Sequence, residues 1–128
     1  MYTRVFVYGS LRRYQSNHGL MATAVFRGAC QLPGFAMYDL GPYPAALRQD
    51  TADVAVHGEV YDVDAGTFRE LDILEGLGEE YCRERVVTPY GKAWIYLYLQ
   101  PLGRSPLIPE GDWVAWAERQ TPETKNAP

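Results

Sequence analysis

The residue with the most to offer to catalysis is Glu75, a carboxylate followed directly by Gly76. Glycine ends helices because it enters the left-handed region at little steric cost, so Glu75 is expected in a last helical turn. Partial negative charge from unpaired carbonyls collects there and disfavours a second anion. The glutamate pKa should rise, which suits a general base working near neutral pH. Phe68, Leu71 and Glu75 fall at i, i+3 and i+7, on one face of that helix. A carboxylate facing inward needs a reason, because burying an unpaired charge is costly. The competing reading is a solvated glutamate of no consequence. If the helix is displaced by a turn, Glu80 becomes the fallback base.

Tyr8-Gly9-Ser10-Leu11 is the second candidate. A strand that stops at glycine exposes successive backbone N–H groups, and no Cβ blocks a ligand's approach. Consecutive donors form an anion nest suited to a carboxylate or a developing oxyanion. An ordinary turn is the commoner explanation of the same residues. The chain also has ten tyrosines, among them Tyr38, Tyr43, Tyr81, Tyr90, Tyr96 and Tyr98. Most should be sheet packing, with one or two lining a pocket and offering hydroxyls. Cys30 and Cys82 are too few and too far apart for a disulfide framework or a zinc knuckle. His18 and His57 show no HExxH spacing, so no catalytic metal is expected, and Cys82 lacks the local signatures of a nucleophile.

The elements that must position these groups can be read from the pattern. Residues 2–8 mix β-branched and aromatic side chains and are apolar at nearly every position, a strand covered on both faces. Residues 11–20 are polar, a loop with a short helical turn. Residues 22–30 and 35–40 read as short strands separated by Pro33-Gly34. Residues 41–47 read as a loop, because Pro42 and Pro44 lack donors and fix the backbone. Residues 54–62 read as another strand, with Gly58 marking a bulge or a close backbone approach. Asp64 is a good N-cap for the helix that stops at Gly76, and residues 77–80 form a loop. Residues 81–88 and 93–99 make the clearest hairpin, turning at Pro89-Tyr90-Gly91-Lys92. Gly111-Asp112 opens a last short helix through Trp113 and Trp116, which could pack at home or on a partner. This order predicts an α+β fold on a curved or closed sheet rather than a doubly wound one.

The 128 residues suit one domain, expected over residues 1–120, with a loose polar tail at 121–128. A net charge of -4 offers nothing to a phosphate backbone, so no nucleic-acid partner is expected. The pairs at Arg12-Arg13 and Arg83-Arg85 read as solvated surface. No apolar run approaches the ~20 residues of a membrane helix, and the first residues lack signal-peptide character. The default location is the cytoplasm. Oligomeric state is open.

Taken together, Val5-Phe6-Val7-Tyr8-Gly9-Ser10-Leu11-Arg12 resembles the N-terminal signature of the gamma-glutamylcyclotransferase superfamily. Gly58-Glu59-Val60-Tyr61, then Leu71-Asp72-Ile73-Leu74-Glu75-Gly76, then Tyr81 and Arg83, is similar to that family's second block. Tyr90-Gly91-Lys92-Ala93-Trp94-Ile95-Tyr96 resembles short bacterial members. The resemblance implies a small mixed sheet curved into a barrel with flanking helices and a pocket at its mouth. It implies an enzyme that releases 5-oxoproline from a small gamma-glutamyl compound, with no metal or organic cofactor. Glu75 aligns with the catalytic glutamate and Tyr8–Leu11 with the substrate-binding turn, while Tyr43 and Tyr81 are placed among the substrate-binding residues. Some short members lack the glutamate, so a non-catalytic small-molecule binder on the same fold is the alternative. The residues that choose the substrate are expected in the loops at 13–18 and 41–47.

Overall fold

The computed structural model describes residues 2–50 and 53–120, so the expected tail lies outside the described residues. Strand β1 (Tyr2–Val7) is followed by a single 3-10 turn (His18–Met21), then β2 (Val25–Pro33), β3 (Phe35–Asp39), β4 (Pro44–Arg48) and β5 (Ala55–Asp64). Helix α1 (Ala65–Glu75) leads into β6 (Tyr81–Thr88) and β7 (Gly91–Tyr98), and β8 (Leu107–Ile108) and α2 (Trp113–Gln120) complete the order. Five strands form a sheet in the order β2-β5-β1-β7-β6, and three form a second in the order β4-β3-β8. β1 runs parallel to β7 and antiparallel to β5.

The apolar run of β1 explains its central place. Phe6 packs on one face with Val60, Ile95, Met37 and Ile108, under the three-stranded sheet. Val5 and Val7 pack on the other with Tyr61, Val63, Tyr96 and Leu71 of α1. Each such side chain is worth about 1.5–3 kcal/mol when buried, which is why a strand apolar on both faces belongs in the middle. Gly58 is a close approach rather than a bulge, since a Cβ there would strike the Phe6 ring and the Val7 carbonyl. The bulge lies in β2, between Phe26 and Gly28.

Helix α1 ends where expected. The Asp64 carboxylate accepts from the Thr67 N–H at 2.7 Å, and Gly76 closes the helix at φ 63 with its N–H directed at the Asp72 and Ile73 carbonyls.

Two expectations need correction, and one alternative left open is decided. The strands form two separate sheets and no closed barrel; β2 and β6 are unjoined edges. Residues 44–48 are a strand, not loop. Pro44 stands first on an edge strand, where its missing N–H breaks no ladder, and Ala45 and Ala46 are fully buried. Trp113 is buried, and Trp116 donates its indole N–H to Asp39 at 2.9 Å, so both pack at home. Among the described residues no helix is long and apolar enough to cross a membrane.

Candidate functional site

Where β1 ends, the chain leaves the sheet through Tyr8-Gly9-Ser10-Leu11 beside the end of α1 and the start of β4. A small cavity, partly open to solvent, lies there. Its wall includes Tyr8, Gly9, Ser10, Leu11, Tyr43, Glu75 and Tyr81, whereas Glu80, the fallback base, and Tyr38, Tyr90 and Tyr98 do not line it. Phe6, Val7, Pro44 and Tyr96 complete it.

Glu75 is half-buried, and its carboxylate has no hydrogen-bond or ion-pair partner among the described residues. Burial first, and the negative charge of Glu80 second, push its pKa from 4.5 up to about 7. The rise was expected from the helix end alone; the structure adds these two causes. A carboxylate at that value has the poise that neutral-pH proton transfer favours.

The glycine turn is held by its carbonyls and leaves its donors open. The Gly9 carbonyl accepts from the Arg12 N–H at 3.0 Å and the Ser10 carbonyl from the Asn17 N–H at 2.8 Å. Asn17 also donates its side-chain N–H to the Ser10 hydroxyl at 2.8 Å. The N–H groups of Ser10 and Leu11 meet no acceptor among the described residues. Gly9 is needed for space, because a Cβ there would lie 2.9 Å from the Pro44 ring.

The tyrosines are less available than their number suggested. Tyr8 donates its hydroxyl to the Tyr96 carbonyl at 2.6 Å, and Tyr81 donates to the Pro44 carbonyl at 2.9 Å. Burial, with nearby negative charge behind it, holds both phenols well above their ordinary pKa. They are neutral walls. Tyr43 is the exposed one, 41% accessible at the cavity's rim.

Two ionic braces had no reading as such in the sequence. Arg83 grips Asp72 with both prongs at 2.9 and 3.0 Å, and the Tyr96 hydroxyl donates to the same carboxylate at 2.6 Å. Burial works to raise the Asp72 pKa, but these donors outweigh it and hold the carboxyl below its ordinary value. The Arg83 guanidinium lies 4.4 Å from the Phe68 ring centre and 4.8 Å from that of Trp94. On the far side of the turn, Glu59 accepts from the Arg13 N–H at 3.0 Å and the Tyr61 hydroxyl at 2.8 Å. Arg12 spans from Glu59 at 3.4 Å to Asp112 at 2.9 Å. Arg12 and Arg83 are thus ion-paired and largely covered rather than solvated surface, because each neutralises a carboxylate that the fold has drawn inward. The basic pairs in the sequence gave no sign of these partners, which lie 47 and 11 residues away.

Comparison with known proteins finds relatives along most of the chain. The model of the family described as gamma-glutamyl cyclotransferase, AIG2-like, matches residues 5–115. The gamma-glutamylcyclotransferase family protein YtfP of Escherichia coli is 44% identical over 111 residues, 87% of this chain and 96% of its own. A solution structure of the Escherichia coli protein ytfP superposes with a TM-score of 0.74 at 43% identity, over 90% of this chain and 99% of its own. The gamma-glutamylaminecyclotransferase of Rattus norvegicus is 37% identical over 87 residues, 62% of this chain and 58% of its own.

Proposed function

This chain belongs to the gamma-glutamyl cyclotransferase, AIG2-like family, and from that premise we propose that the cavity cyclises a small gamma-glutamyl compound to 5-oxoproline with Glu75 as general base and acid. One observation carries the reading: a partnerless carboxylate poised near neutrality shares a small cavity with two free backbone donors. A binding pocket alone has no use for a half-buried base whose ionisation is resisted.

The substrate's α-amine is an ammonium at neutral pH and cannot attack. Glu75 takes one of its protons and frees the lone pair. The amine nitrogen then bonds to the γ-carbonyl carbon, closing a five-membered ring and placing negative charge on the carbonyl oxygen. The N–H groups of Ser10 and Leu11 offer donors to that oxyanion or to the substrate's α-carboxylate. The adduct collapses by breaking the bond to the departing nitrogen, which receives the proton from Glu75. The ring nitrogen gives up its second proton to Glu75 once the carboxylate has delivered the first, and the freed amine takes up that proton directly or through solvent, so two protons leave one nitrogen, two reach the other, and Glu75 ends as it began. Tyr8, Tyr81 and Tyr96 wall the cavity and hold the extended γ-glutamyl chain folded, which turns a floppy encounter into an intramolecular one.

The test is release of 5-oxoproline from a panel of gamma-glutamyl amides. The wild type should turn over, and Glu75→Gln should lose about 10²–10⁴ of the rate, the usual worth of a general base. If both proteins are silent while ligands still bind, the cavity is a binding site and the cyclotransferase reading fails.

A further inference from the structure

The two open edges of the five-stranded sheet, β2 and β6, border a common hollow that shares no residue with the cavity around Glu75. Tyr90 clasps one end, donating its hydroxyl to the Ala29 carbonyl of β2 at 3.0 Å. Arg48 of β4 clasps the other, ion-paired with Glu84 of β6 at 2.6 Å. Between these clasps Arg85, Val86 and Val87 line one side of the opening, and Leu32 and Phe35 the other.

The two edges are not equal. β2 carries a register shift between Phe26 and Gly28, ends in Pro33 and lies under Tyr90, features that blunt a strand edge. β6 pairs with β7 from Tyr81 to Thr88 without a shift. Its alternation shows which groups it offers. The Glu80 carbonyl accepts from the Leu99 N–H at 2.8 Å, on the β7 side. The Tyr81 carbonyl points the other way and accepts from the Gly78 N–H at 2.8 Å. Every second residue of an antiparallel strand repeats that direction, so Arg85 and Val87 turn N–H and carbonyl outward. No described residue takes those groups up.

Side chains alternate as well. Val86 packs inward on the core that holds Leu32 and Phe35. Arg85 and Val87 stand on the opposite face, where Val87 is 74% exposed. The Arg85 guanidinium lies 5.0 Å from the Trp94 ring centre and has no carboxylate partner among the described residues.

We infer that the edge of β6 at residues 85–87 takes an extended peptide as an added strand, with an acidic residue opposite Arg85 between two apolar ones. A residue paired with Arg85 carries its side chain on the same face, so its carboxylate meets the unpaired guanidinium. Its two neighbours point into the hollow, toward Leu32, Phe35 and Val86. Main-chain bonds to Arg85 and Val87 supply the grip, and the alternating side chains supply the selection.

The probe is acetyl-Thr-Val-Glu-Val-Thr-amide, which presents the same pattern in either orientation. Added to the full chain, it should slow hydrogen exchange at the N–H groups of Arg85 and Val87, and leave that of Val86, already bonded to β7, nearly unchanged. Replacing its Glu by Lys should weaken binding by about fivefold, the upper end for one cross-strand charge pair. The chain's net charge of -4 would favour the Lys peptide, so general attraction cannot mimic this order. Methylating the Glu nitrogen removes a main-chain donor to β6 and should abolish binding. Arg85→Glu should reverse the preference toward the Lys peptide, a gain that an unfolded protein cannot show. Equal binding of the methylated peptide, a Glu preference that survives Arg85→Glu, or no binding of any peptide overturns the inference. So does protection of Arg85 and Val87 that grows with protein concentration in the absence of peptide, since a second copy then holds the edge.

Discussion

A half-buried carboxylate without a partner is an uncommon thing to keep, and at Glu75 its cost has a measurable consequence. Burial and the charge of Glu80 both oppose ionisation and set the pKa at about 7. A base works only when ionised, so the active fraction falls as pH drops through that value. The expected profile of kcat/KM has an acidic limb near pH 7, below which the rate falls about tenfold per unit. Removing the neighbouring charge lowers the pKa, so Glu80→Gln should move the limb to lower pH. A limb that stays in place in Glu80→Gln, or one near the ordinary glutamate value of 4.5 in the wild type, counts against Glu75 as the group that titrates.

At the scale of elements, the proposed base is only as well placed as the last turn of α1. Gly76 ends that turn, and Arg83 on β6 ties it to the sheet through Asp72, one turn before Glu75. The fork is geometric: guanidinium and carboxylate meet at two points, the rings of Phe68 and Trp94 flank the cation, and Tyr96 fills a third acceptor position. Arg83→Lys keeps the charge and loses the fork. We expect it to destabilise the fold by about 1–2 kcal/mol, as hydrogen bonds to a charged group do, and to lower kcat more than it raises KM. Thermal unfolding and steady-state kinetics read the two effects separately. An unchanged kcat in a destabilised protein would make the fork structural only. Much of this arrangement was legible from the sequence. The Asp64 cap, the Gly76 stop and the apolar run of residues 2–8 are local signals, and each led to the observed element, the strand ending one residue earlier than read. What escaped depends on pairing at a distance. Pro44 argues for a loop until β3 is there to make β4 an edge, and β8 has only two residues. Arg12 and Arg83 look solvated until the sheet brings Glu59 and Asp72 to them.

Across the whole molecule, the donor turn belongs to neither sheet and must be fixed from outside. One core packs the five-stranded sheet against the three-stranded one, and the other packs it against α1 and residues 11–21. The turn leaves the sheet at that second face, and Glu59 is the residue that stops it drifting. This carboxylate is 7% accessible and takes the Arg13 N–H, the Tyr61 hydroxyl and the Arg12 guanidinium. Through Arg12 it also reaches Asp112, which receives the Ala115 N–H at 3.3 Å in the first turn of α2. Helix α2 and the turn of β1 are thereby joined although they lie at opposite ends of the chain. Glu59→Ala strands one buried donor, the Tyr61 hydroxyl, and one partly buried, the Arg13 N–H, and leaves Arg12 with Asp112 alone. We expect a loss of about 2–4 kcal/mol, the range for breaking a covered ion pair and leaving its partners unsatisfied. In urea that corresponds to a midpoint lower by about 1–2 M for a slope ordinary in small proteins. Glu59→Gln should lose less, because an amide oxygen still accepts from Arg13 and Tyr61. Its residual cost isolates the charge on Arg12. A Glu59→Ala midpoint equal to that of the wild type would mean that the turn is held by its own Asn17 contacts, and that α2 and the donor turn are not mechanically joined.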